Sequence, residues 1–277
     1  MVANFPLVSV IMNCYNGEEF LNTAVDSVLA QSYQNWELIF WDNQSSDNSA
    51  KVFSAHCDTR LKYFLAPDHT LLFEARNYAV QKSKGEYLAF LDVDDWWDPS
   101  KLEKQISFFQ DPKVGMLCSK YWIVNKIDNS KKISSTNPIP SGWVLNSLLK
   151  KYQVGLSTLV IRRSAFSSLH NGFDPKLHVT GDFDIVLRLA RKWKMISLQE
   201  PLVCYLLHGG NVSQSEKGKQ VEEYHYWLKK MSQYPDVVML SGFRAVKNEY
   251  SYMKARLYLN EKSYKEAWRI LFKMSWQ

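Results

Sequence analysis

Short apolar segments of strand length alternate with helix-like segments over the first hundred residues, and this alternation constrains the fold of the chain most strongly. Four strand-like runs are apolar or rich in β-branched side chains, at residues 8–12, 36–41, 61–65 and 87–91. Between them, apolar residues recur at helical intervals in residues 18–31, 49–56 and 72–82. Strand–helix alternation of this kind predicts an α/β fold whose sheet is doubly wound, mostly parallel and flanked by helices.

Three of these strands end in clusters of polar residues, at residues 13–16, 42–47 and 92–95. In doubly wound sheets, ligands bind beyond the carboxyl ends of the strands, at the point where the strand order reverses. The carboxyl ends of parallel strands lie on the same edge of the sheet, so the three clusters are expected to meet there. The sequence therefore predicts one ligand site built from the three strand ends.

Asp92, Asp94 and Asp95 directly follow the fourth strand and form the most acidic of the three clusters. Carboxylates packed this closely repel one another unless a cation compensates them. Hard divalent cations such as Mg²⁺ and Mn²⁺ prefer carboxylate oxygens and bridge them to substrate phosphates. A simple turn that leads into the next helix is the alternative, because residues 98–100 read Asp-Pro-Ser and resemble a helix start.

The segments after residue 100 continue the mixed pattern and then change character. The pattern predicts helices at residues 101–110, 142–151 and 182–193, strands at 115–124, 156–162 and 202–207, and a polar loop at 125–141. From about Val221 the chain reads as almost wholly helical and is dense in aromatic and basic residues. A C-terminal helical appendage is therefore expected after the α/β part.

Net charge and cysteine content restrict the partners and the compartment. The net charge of +6 suits an anionic small molecule or an acidic membrane surface, and no basic run with interleaved aromatic residues predicts a nucleic-acid partner. The four cysteines are widely separated, which favours free thiols in a reducing compartment. Neither a secretory signal nor an apolar run of about 18 residues is present. These features predict a cytoplasmic protein, either free or peripheral at the cytoplasmic face of the membrane.

In combination, the clusters resemble the motifs of the family 2 glycosyltransferases, enzymes of the GT-A fold that use nucleotide-diphospho-sugars. The chain is similar to the opening strand and turn of that family at residues 8–16, and to its Asp-Asp-Gly-Ser-Thr-Asp-Gly-Thr block at residues 42–49. Residues 75–77 read Ala-Arg-Asn and residues 92–95 read Asp-Val-Asp-Asp, which resemble the family's Ala-Arg-Asn and Asp-Ala-Asp-Asp elements. Further matches follow in chain order at residues 172–174, 181–189 and 205–213.

The resemblance implies an inverting transfer of a sugar from a UDP-sugar, or alternatively a dTDP-sugar, to a hydroxyl of a glycan or a lipid-linked acceptor in bacterial surface polysaccharide synthesis. It also implies Mn²⁺ or Mg²⁺ as the cofactor. The implied GT-A domain spans residues 1–215, with a nucleotide-sugar-binding half at 1–95 and an acceptor half at 96–215, and a helical region follows at 216–277. Two other functions stay open: a nucleotidyltransferase, and a non-catalytic nucleotide- or sugar-binding module of the same fold.

Several residues are expected to bind the nucleotide-sugar donor. Asp42 suits the imide N–H of uracil or thymine, because a carboxylate only accepts hydrogen bonds; a turn or helix-cap role is the alternative. The guanidinium of Arg76 suits a diphosphate or the neighbouring acids, and a simple surface arginine beside Glu74 is the alternative. By the resemblance, four further residues belong to the donor site: Asn13, Tyr15, Asp92 and Val93.

By the same resemblance, Asp92 faces the ribose and the sugar, while Asp94 binds the metal. His208 follows a strand and is the second candidate metal ligand, with a structural histidine as the alternative. Asp182 is the candidate base that takes the proton of the acceptor hydroxyl, because the usual Glu-Asp pair of the family reads Gly-Asp here. Asp184 is the second candidate base, and a helix cap is the alternative role for Asp182.

The aromatic and basic residues of the C-terminal helices have three explanations at the level of sequence. They form a surface that lies on an anionic membrane, they pack on the catalytic domain, or they join two copies of the chain in a homodimer. No clean amphipathic pattern separates these three explanations.

Overall fold

The computed structural model describes residues 5–272, except for the side chains of residues 213 and 214. The first part of the chain alternates strands and helices, as the sequence predicts. Its elements are β1 (Val8–Cys14), α1 (Leu21–Leu29), β2 (Trp36–Asp42), α2 (Ser49–Ser54), β3 (Leu61–Leu65), α3 (Leu72–Lys82) and β4 (Tyr87–Phe90). β1, β2 and β4 are buried along their whole length, which explains their nearly continuous apolar sequences.

The middle of the chain adds further strands and short helices, and the remaining described part is helical. The middle elements are β5 (Trp96–Trp97), α4 (Lys101–Ile106), β6 (Val114–Asn125), β7 (Lys131–Ile133), α5 (Leu145–Lys150), a 3-10 turn (Leu156–Thr158), β8 (Val160–Arg162), α6 (Arg163–Ser167), α7 (Gly181–Ala190) and β9 (Lys194–Leu207). The later helices are α8 (Val212–Ser215), α9 (Lys217–Met231), α10 (Pro235–Val238), α11 (Ser241–Asn260) and α12 (Tyr264–Leu271).

The described strands form one nine-stranded sheet in the order β3-β2-β1-β4-β8-β6-β9-β5, with β7 paired to β6. β3, β2, β1 and β4 are parallel to their neighbours within this group, and β6 is parallel to β9. β5, β7 and β8 pair in antiparallel fashion. The predicted α/β fold with a mostly parallel sheet is therefore confirmed. Because β1 lies between β2 and β4, the strand order reverses beside it, and a ligand site is expected at the carboxyl ends of these three strands.

The strand predicted at residues 156–162 is wrong in its first half. Leu156–Thr158 form a 3-10 turn, in which the hydroxyl of Thr158 donates to the carbonyl of Gly155 at 2.7 Å. Only Val160–Arg162 pairs as a strand, antiparallel to β4 and β6. Apolar composition alone does not separate a buried turn from a buried strand, so the pattern did not reveal the break.

Two further segments contain more strand than the sequence predicts. β9 begins at Lys194 rather than at residue 202, and the intervening Gln-Glu-Pro at residues 199–201 lies where its pairing with β6 shifts register. A strand accommodates polar residues and proline at such an irregularity. The predicted loop at residues 125–141 contains β7, which pairs with the half-buried end of β6.

The chain divides into two compact units. The first comprises the residues up to Val144 together with Gln153–His208, and it contains the sheet. The second comprises Leu145–Tyr152 and the residues from Gly209 onward, and its described elements are helices, as the sequence predicts for the C-terminal region. None of the helices within residues 5–272 is long and apolar enough to cross a bilayer.

Within the second unit, α5 packs closely against α11. A Cβ atom on Gly242 would lie 2.5 Å from the Cβ atom of Leu149, so this position requires glycine. The backbone N–H of Gly242 donates to Oδ1 of Asn146 at 2.8 Å, which fixes the start of α11. The buried rings of Trp227 and Phe243 lie 6.3 Å apart and form the aromatic centre of this unit.

Candidate active site

The turns that follow β1 and β2 hold each other through hydrogen bonds. Asp47 accepts from the backbone N–H of Glu18 at 3.0 Å, and the carboxylate of Glu18 accepts from the backbone N–H of Asn48 at 2.7 Å. The backbone N–H of Asn16 donates to the hydroxyl of Ser45 at 3.0 Å, and the φ of 54° at Asn16 is one that asparagine tolerates well. The two polar strand ends therefore form one common rim, in which Asp47 has a structural role.

Asp42 is buried at the carboxyl end of β2, with its carboxylate held on both sides. One oxygen accepts from the backbone N–H of Ser45 at 2.8 Å, and the other accepts from the hydroxyl of Tyr63 on β3 at 2.8 Å. Burial and the hydrogen bond to Asp42 together raise the pKa of Tyr63 to about 12. The turn contact that the sequence allowed is present, and the carboxylate keeps lone pairs that accept a further N–H.

Asn13 and Tyr15 lie at the end of β1, on either side of Cys14, which pairs with Asp42. Both polar atoms of the Asn13 amide are buried, and neither has a hydrogen-bond partner within residues 5–272. A buried amide without partners is costly, so a bound ligand or water is expected to pair with it. Tyr15 is 55% exposed, and its ring centroid lies 4.4 Å from that of His69. This surface aromatic pair suits stacking on a planar group.

Arg76 on α3 is buried and forms an ion pair with the carboxylate of Asp92. Its guanidinium lies 4.8 Å from the ring centroid of Phe73, and Gly181 at the start of α7 allows this ring close approach, since a Cβ there would lie 2.3 Å from it. Asp92 is half-buried, and Arg76 is only 3% exposed. The alternative of a surface arginine beside Glu74 is therefore wrong.

Asp94 and His208 meet although they are 114 positions apart in the sequence. Nε2 of His208 lies 3.0 Å from Oδ2 of Asp94, and the imidazole is tilted against the ring of Phe20, with centroids 4.8 Å apart. Burial raises the pKa of Asp94, the negative charge of Asp92 raises it further, and the hydrogen bond with His208 opposes both. The fold thus brings together the two residues predicted to bind a metal.

Val93 lies between Asp92 and Asp94 in the sequence and packs against the turn after β1. A Cβ atom on Gly17 would lie 3.0 Å from a methyl group of Val93 and 2.9 Å from the sulfur of Cys14. Glycine at this position therefore allows the acidic loop to approach the end of β1 closely.

Asp94 and His208 fit a divalent cation that also binds phosphate. Within residues 5–272, no group of three or more His, Cys, Asp or Glu side chains is arranged as a complete metal site. Mg²⁺ and Mn²⁺ commonly use one or two carboxylates together with water and substrate phosphates. The half-buried carboxylate of Asp94 beside His208 matches that incomplete donor set.

Asp182 lies at the start of α7 and differs sharply from its neighbour Asp184. Asp184 is fully buried, and its carboxylate pairs with Arg188 at 2.6 Å, so it stabilises the helix and its surroundings. Asp182 retains access to solvent, and its side chain accepts a hydrogen bond from the backbone N–H of Phe183 at 2.8 Å. These contacts favour Asp182 over Asp184 as the candidate base.

The electrostatic surroundings of Asp182 connect it with the acids of the fourth strand. The pKa of the Asp182 carboxyl is raised to about 6, because burial and the negative charge of Asp92 raise it more than the backbone N–H of Phe183 and the positive charge of Arg76 lower it. The charge of Asp182 in turn contributes to a raised pKa of Tyr121, after the larger effect of burial. Asp182, Arg76 and Asp92 therefore belong to one electrostatic cluster.

Three residues of this site were not found from the sequence. Tyr63 holds Asp42, Ser157 accepts from the backbone N–H of Asp92 at 3.2 Å, and Tyr121 lies within the electrostatic influence of Asp182. Each belongs to a segment far from its partner in the sequence and to no recognisable motif. Only the pairing of β2 with β3 and the position of the 3-10 turn bring Tyr63 and Ser157 to the site.

Comparison with known protein families gives a match over most of the first unit. The model of the family described as glycosyl transferase family 2 matches residues 9–169. A related protein of Escherichia coli is the UDP-Glc:alpha-D-GlcNAc-diphosphoundecaprenol beta-1,3-glucosyltransferase WfgD, 35% identical over 78% of this chain and 83% of its own length. The putative teichuronic acid biosynthesis glycosyltransferase TuaG of Bacillus subtilis is 28% identical over 76% of this chain and 83% of its own.

Solved structures share the fold at low sequence identity. The complex of S. aureus TarS 1-349 with UDP-GlcNAc has a TM-score of 0.66 at 13% identity, covering 95% of this chain and 90% of that one. The mannosyltransferase PcManGT of Pyrobaculum calidifontis, in complex with GDP-Man and Mn²⁺, has a TM-score of 0.69 at 15% identity, covering 97% and 75%. Against a longer TarS chain, the present chain spans only 43% of the length. These likenesses establish the GT-A architecture.

Proposed function

The chain belongs to glycosyltransferase family 2, and from this premise we propose that it moves a sugar from a UDP-sugar to a hydroxyl of a lipid-linked or glycan acceptor, with inversion at the anomeric carbon. The observation that carries this proposal is the cluster at the strand ends, where the Asp92–Arg76 pair, the Asp94–His208 pair and the partly buried Asp182 gather. A non-catalytic module would not need to retain both a metal-binding acid and a candidate base.

In the proposed donor site, each strand end binds a different part of the nucleotide-sugar. Asp42 accepts the imide N–H of uracil, and Tyr15 stacks on the base. The unpaired amide of Asn13 bonds to the nucleotide, and Val93 contacts it. UDP is favoured over dTDP because one relative is named for UDP-Glc and one structural neighbour holds UDP-GlcNAc. We propose residues 1–95 as the donor half, residues 96–215 as the acceptor half and residues 216–277 as a separate helical region.

Asp182 is the proposed general base. With a pKa of about 6, its carboxylate is mostly ionised at neutral pH and still basic enough to accept a proton. It takes the proton of the acceptor hydroxyl as that oxygen bonds to the anomeric carbon. The bond between the anomeric carbon and the diphosphate oxygen breaks, and its electron pair leaves with UDP.

The leaving diphosphate requires positive charge nearby. Arg76 supplies a buried guanidinium, which the carboxylate of Asp92 orients. Asp94 and His208 would hold Mn²⁺ or Mg²⁺, and a bound cation neutralises the charge that develops on the leaving group. Asp92 would bond to the ribose and the sugar of the donor.

A donor panel tests the proposed function. Purified protein is incubated with Mn²⁺, a GlcNAc-diphospholipid acceptor and each of several UDP- and dTDP-sugars, and release of the nucleoside diphosphate is measured. We expect turnover with a UDP-sugar, its loss on chelation of the metal, and a donor-dependent rise of the melting temperature. Absence of turnover and of thermal shift with every donor would contradict the proposal.

We also propose that the second unit contacts an anionic membrane, where a lipid-linked acceptor would lie. This unit holds 14 Lys and Arg residues against 7 Asp and Glu, a net charge of +7, whereas the first unit holds 20 against 21, a net charge of −1. On α12, Tyr264 and Trp268 and the following Phe272 recur every four residues and are at least 57% exposed. Exposed Lys265 and Arg269 flank this aromatic row. Exposed aromatic residues beside basic ones are typical of interfacial helices.

Vesicle co-sedimentation tests this contact. The protein should bind vesicles of phosphatidylcholine mixed with phosphatidylglycerol, not phosphatidylcholine alone, and salt should weaken binding. Neutralising Lys265 and Arg269 to Gln should cost about 1 kcal/mol of binding free energy per residue. The double variant Trp268→Ser and Phe272→Ser should also bind weakly, whereas Trp143→Ser, which alters an exposed tryptophan of the first unit, should not. A dimeric mass in light scattering that the double variant abolishes would favour a homodimer and contradict membrane contact.

A further inference from the structure

Asp95 is the one acid of residues 92–95 to which neither the sequence nor the proposed mechanism gives a role. Its carboxylate is 2% exposed, so it faces the protein rather than the ligand space that Asp92 and Asp94 border. Oδ2 accepts from the hydroxyl of Ser157 at 2.6 Å, and Oδ1 accepts from the backbone N–H of Leu206 at 3.1 Å. Both oxygens are therefore engaged within the protein.

These two bonds join three segments that are remote in the sequence. Ser157 lies in the 3-10 turn before β8, and Leu206 lies near the end of β9. Ser157 also accepts from the backbone N–H of Asp92 at 3.2 Å, and its carbonyl accepts from Nε1 of Trp97 at 2.9 Å. Asp95 thus links the acidic loop to the 3-10 turn through Ser157 and to β9 through Leu206.

The two segments that Asp95 joins each carry one of the proposed metal ligands. Asp94 precedes Asp95 directly, and His208 follows Leu206 by two positions. Nε2 of His208 and Oδ2 of Asp94 are 3.0 Å apart, a separation that depends on how the acidic loop and the end of β9 are placed. The bond from the Leu206 N–H to Asp95 holds these two segments to each other next to that pair, in addition to the pairing of β5 with β9.

From this geometry we infer that Asp95 is a positioning residue, which sets the distance between Asp94 and His208 and the orientation of the Asp92 backbone through Ser157 and Leu206. It does not touch substrate or cation. The required property is the pattern of hydrogen bonds, because each oxygen of the buried carboxylate accepts one bond. Residues behind metal ligands commonly change metal affinity or activity by about 10–100-fold when they are replaced.

This inference rests on the proposed function, and three variants test it. Asp95→Asn keeps an oxygen for the Leu206 N–H and places an amide beside the Ser157 hydroxyl, whereas Asp95→Ala removes both contacts. Ser157→Ala removes only the bond to the 3-10 turn and serves if Asp95→Ala does not fold. Asp98→Asn, an exposed acid just beyond β5, is the matched control.

The measurements are kcat, the Mn²⁺ concentration for half-maximal activity, UDP–Mn²⁺ binding by calorimetry and the melting temperature. We expect Asp95→Ala to need about 10–100-fold more Mn²⁺ and to bind UDP–Mn²⁺ correspondingly weakly. Ser157→Ala and Asp95→Asn, which each lose the bond from the Ser157 hydroxyl to a carboxylate oxygen but keep an acceptor for the Leu206 N–H, should show smaller losses, and Asp98→Asn should resemble wild type. A loss in both Asp95 variants with wild-type Mn²⁺ dependence in Ser157→Ala, which keeps the carboxylate, would show that the negative charge matters instead, and would overturn the inference. Lower melting temperatures with unchanged Mn²⁺ dependence would overturn it too. If wild type shows no turnover, the proposed function fails, and calorimetry still decides the role of Asp95.

Discussion

Replacing Asp182 with Asn is expected to lower kcat by about 10²–10⁴-fold, the usual contribution of a positioned general base. The amide has nearly the same shape as the carboxylate and still accepts the backbone N–H of Phe183, so the start of α7 should be unchanged. Donor binding should therefore persist, and the KM for the UDP-sugar should change little. Steady-state kinetics with a saturating acceptor measures both quantities.

The pH dependence of the same reaction identifies the base. The groups that act on the Asp182 carboxyl are Phe183 and Arg76, which favour its ionised form, and Asp92, which disfavours it, while burial raises its pKa to about 6. The wild-type rate should fall below about pH 6, because the base is then protonated, and it should be flat above it. The residual rate of Asp182→Asn should not show this fall, which forms the acidic limb of the wild-type pH profile. A variant that keeps full activity, or keeps the acidic limb, would contradict the assignment of the base.

Asp182→Asn should stabilise the fold although it lowers the activity. The folded protein holds the Asp182 proton up to about pH 6, whereas an ordinary aspartate loses it near 3.8, so the ionised carboxylate destabilises the fold at neutral pH. This penalty is absent below the ordinary pKa, grows between the two pKa values and is constant above pH 6. Asp182→Asn should therefore raise the free energy of unfolding by about 1–3 kcal/mol at pH 8 and hardly at all at pH 4. Asp128→Asn, which replaces an exposed acid, should not raise the free energy of unfolding at either pH.

Replacing Asp94 with Ala is expected to have the second largest effect, a fall in kcat/KM of about 10²–10³-fold, since a bound cation supplies several kcal/mol of charge stabilisation. His208 would lose its carboxylate partner and would be left as the single predicted metal ligand. The variant should need much more Mn²⁺ for activity. Titration of activity against Mn²⁺ measures this shift.

Chelation separates a metal-binding role from a structural one. EDTA should reduce wild type to about the level of Asp94→Ala, and it should have little further effect on the variant, because both remove the same contribution. Asp98→Asn, three residues beyond Asp95 and on the other side of β5, should retain wild-type activity and remain sensitive to EDTA. If Asp94→Ala bound UDP–Mn²⁺ as tightly as wild type, the metal role of Asp94 would be wrong.

The strand ends were predictable from the sequence because their signals are local. An apolar or β-branched run followed by polar residues, as at Asn13, Asp42 and Asp92, indicates both a buried strand and its exit, and parallel pairing then places the exits together. The contact between Arg76 and Asp92 also follows from neighbouring elements, since α3 leads directly into β4. The donor side of the site is therefore largely contained in short segments.

The contacts that hold the site were not predictable, because they depend on long-range register. Leu206 reaches Asp95 because the late part of β9 pairs with β5, where Trp96 lies opposite Cys204, and the sequence pattern does not reveal that pairing. Ser157 reaches Asp92 only because a 3-10 turn interrupts the expected strand. The pKa of Asp182 likewise depends on burial, which the spacing of residues does not reveal. The pairing of Asp184 with Arg188, which distinguishes that residue from Asp182, was also seen only in the structure.

The configuration of the product at the transferred anomeric carbon tests the central claim most directly. In a single direct displacement, the acceptor hydroxyl activated by Asp182 attacks from the face opposite the departing diphosphate, which inverts the anomeric carbon. We therefore predict that an α-linked UDP-sugar yields a β-linked product, read from the anomeric proton coupling in the NMR spectrum of the purified glycolipid. An α-linked product would contradict inversion at this site and, with it, the role of Asp182.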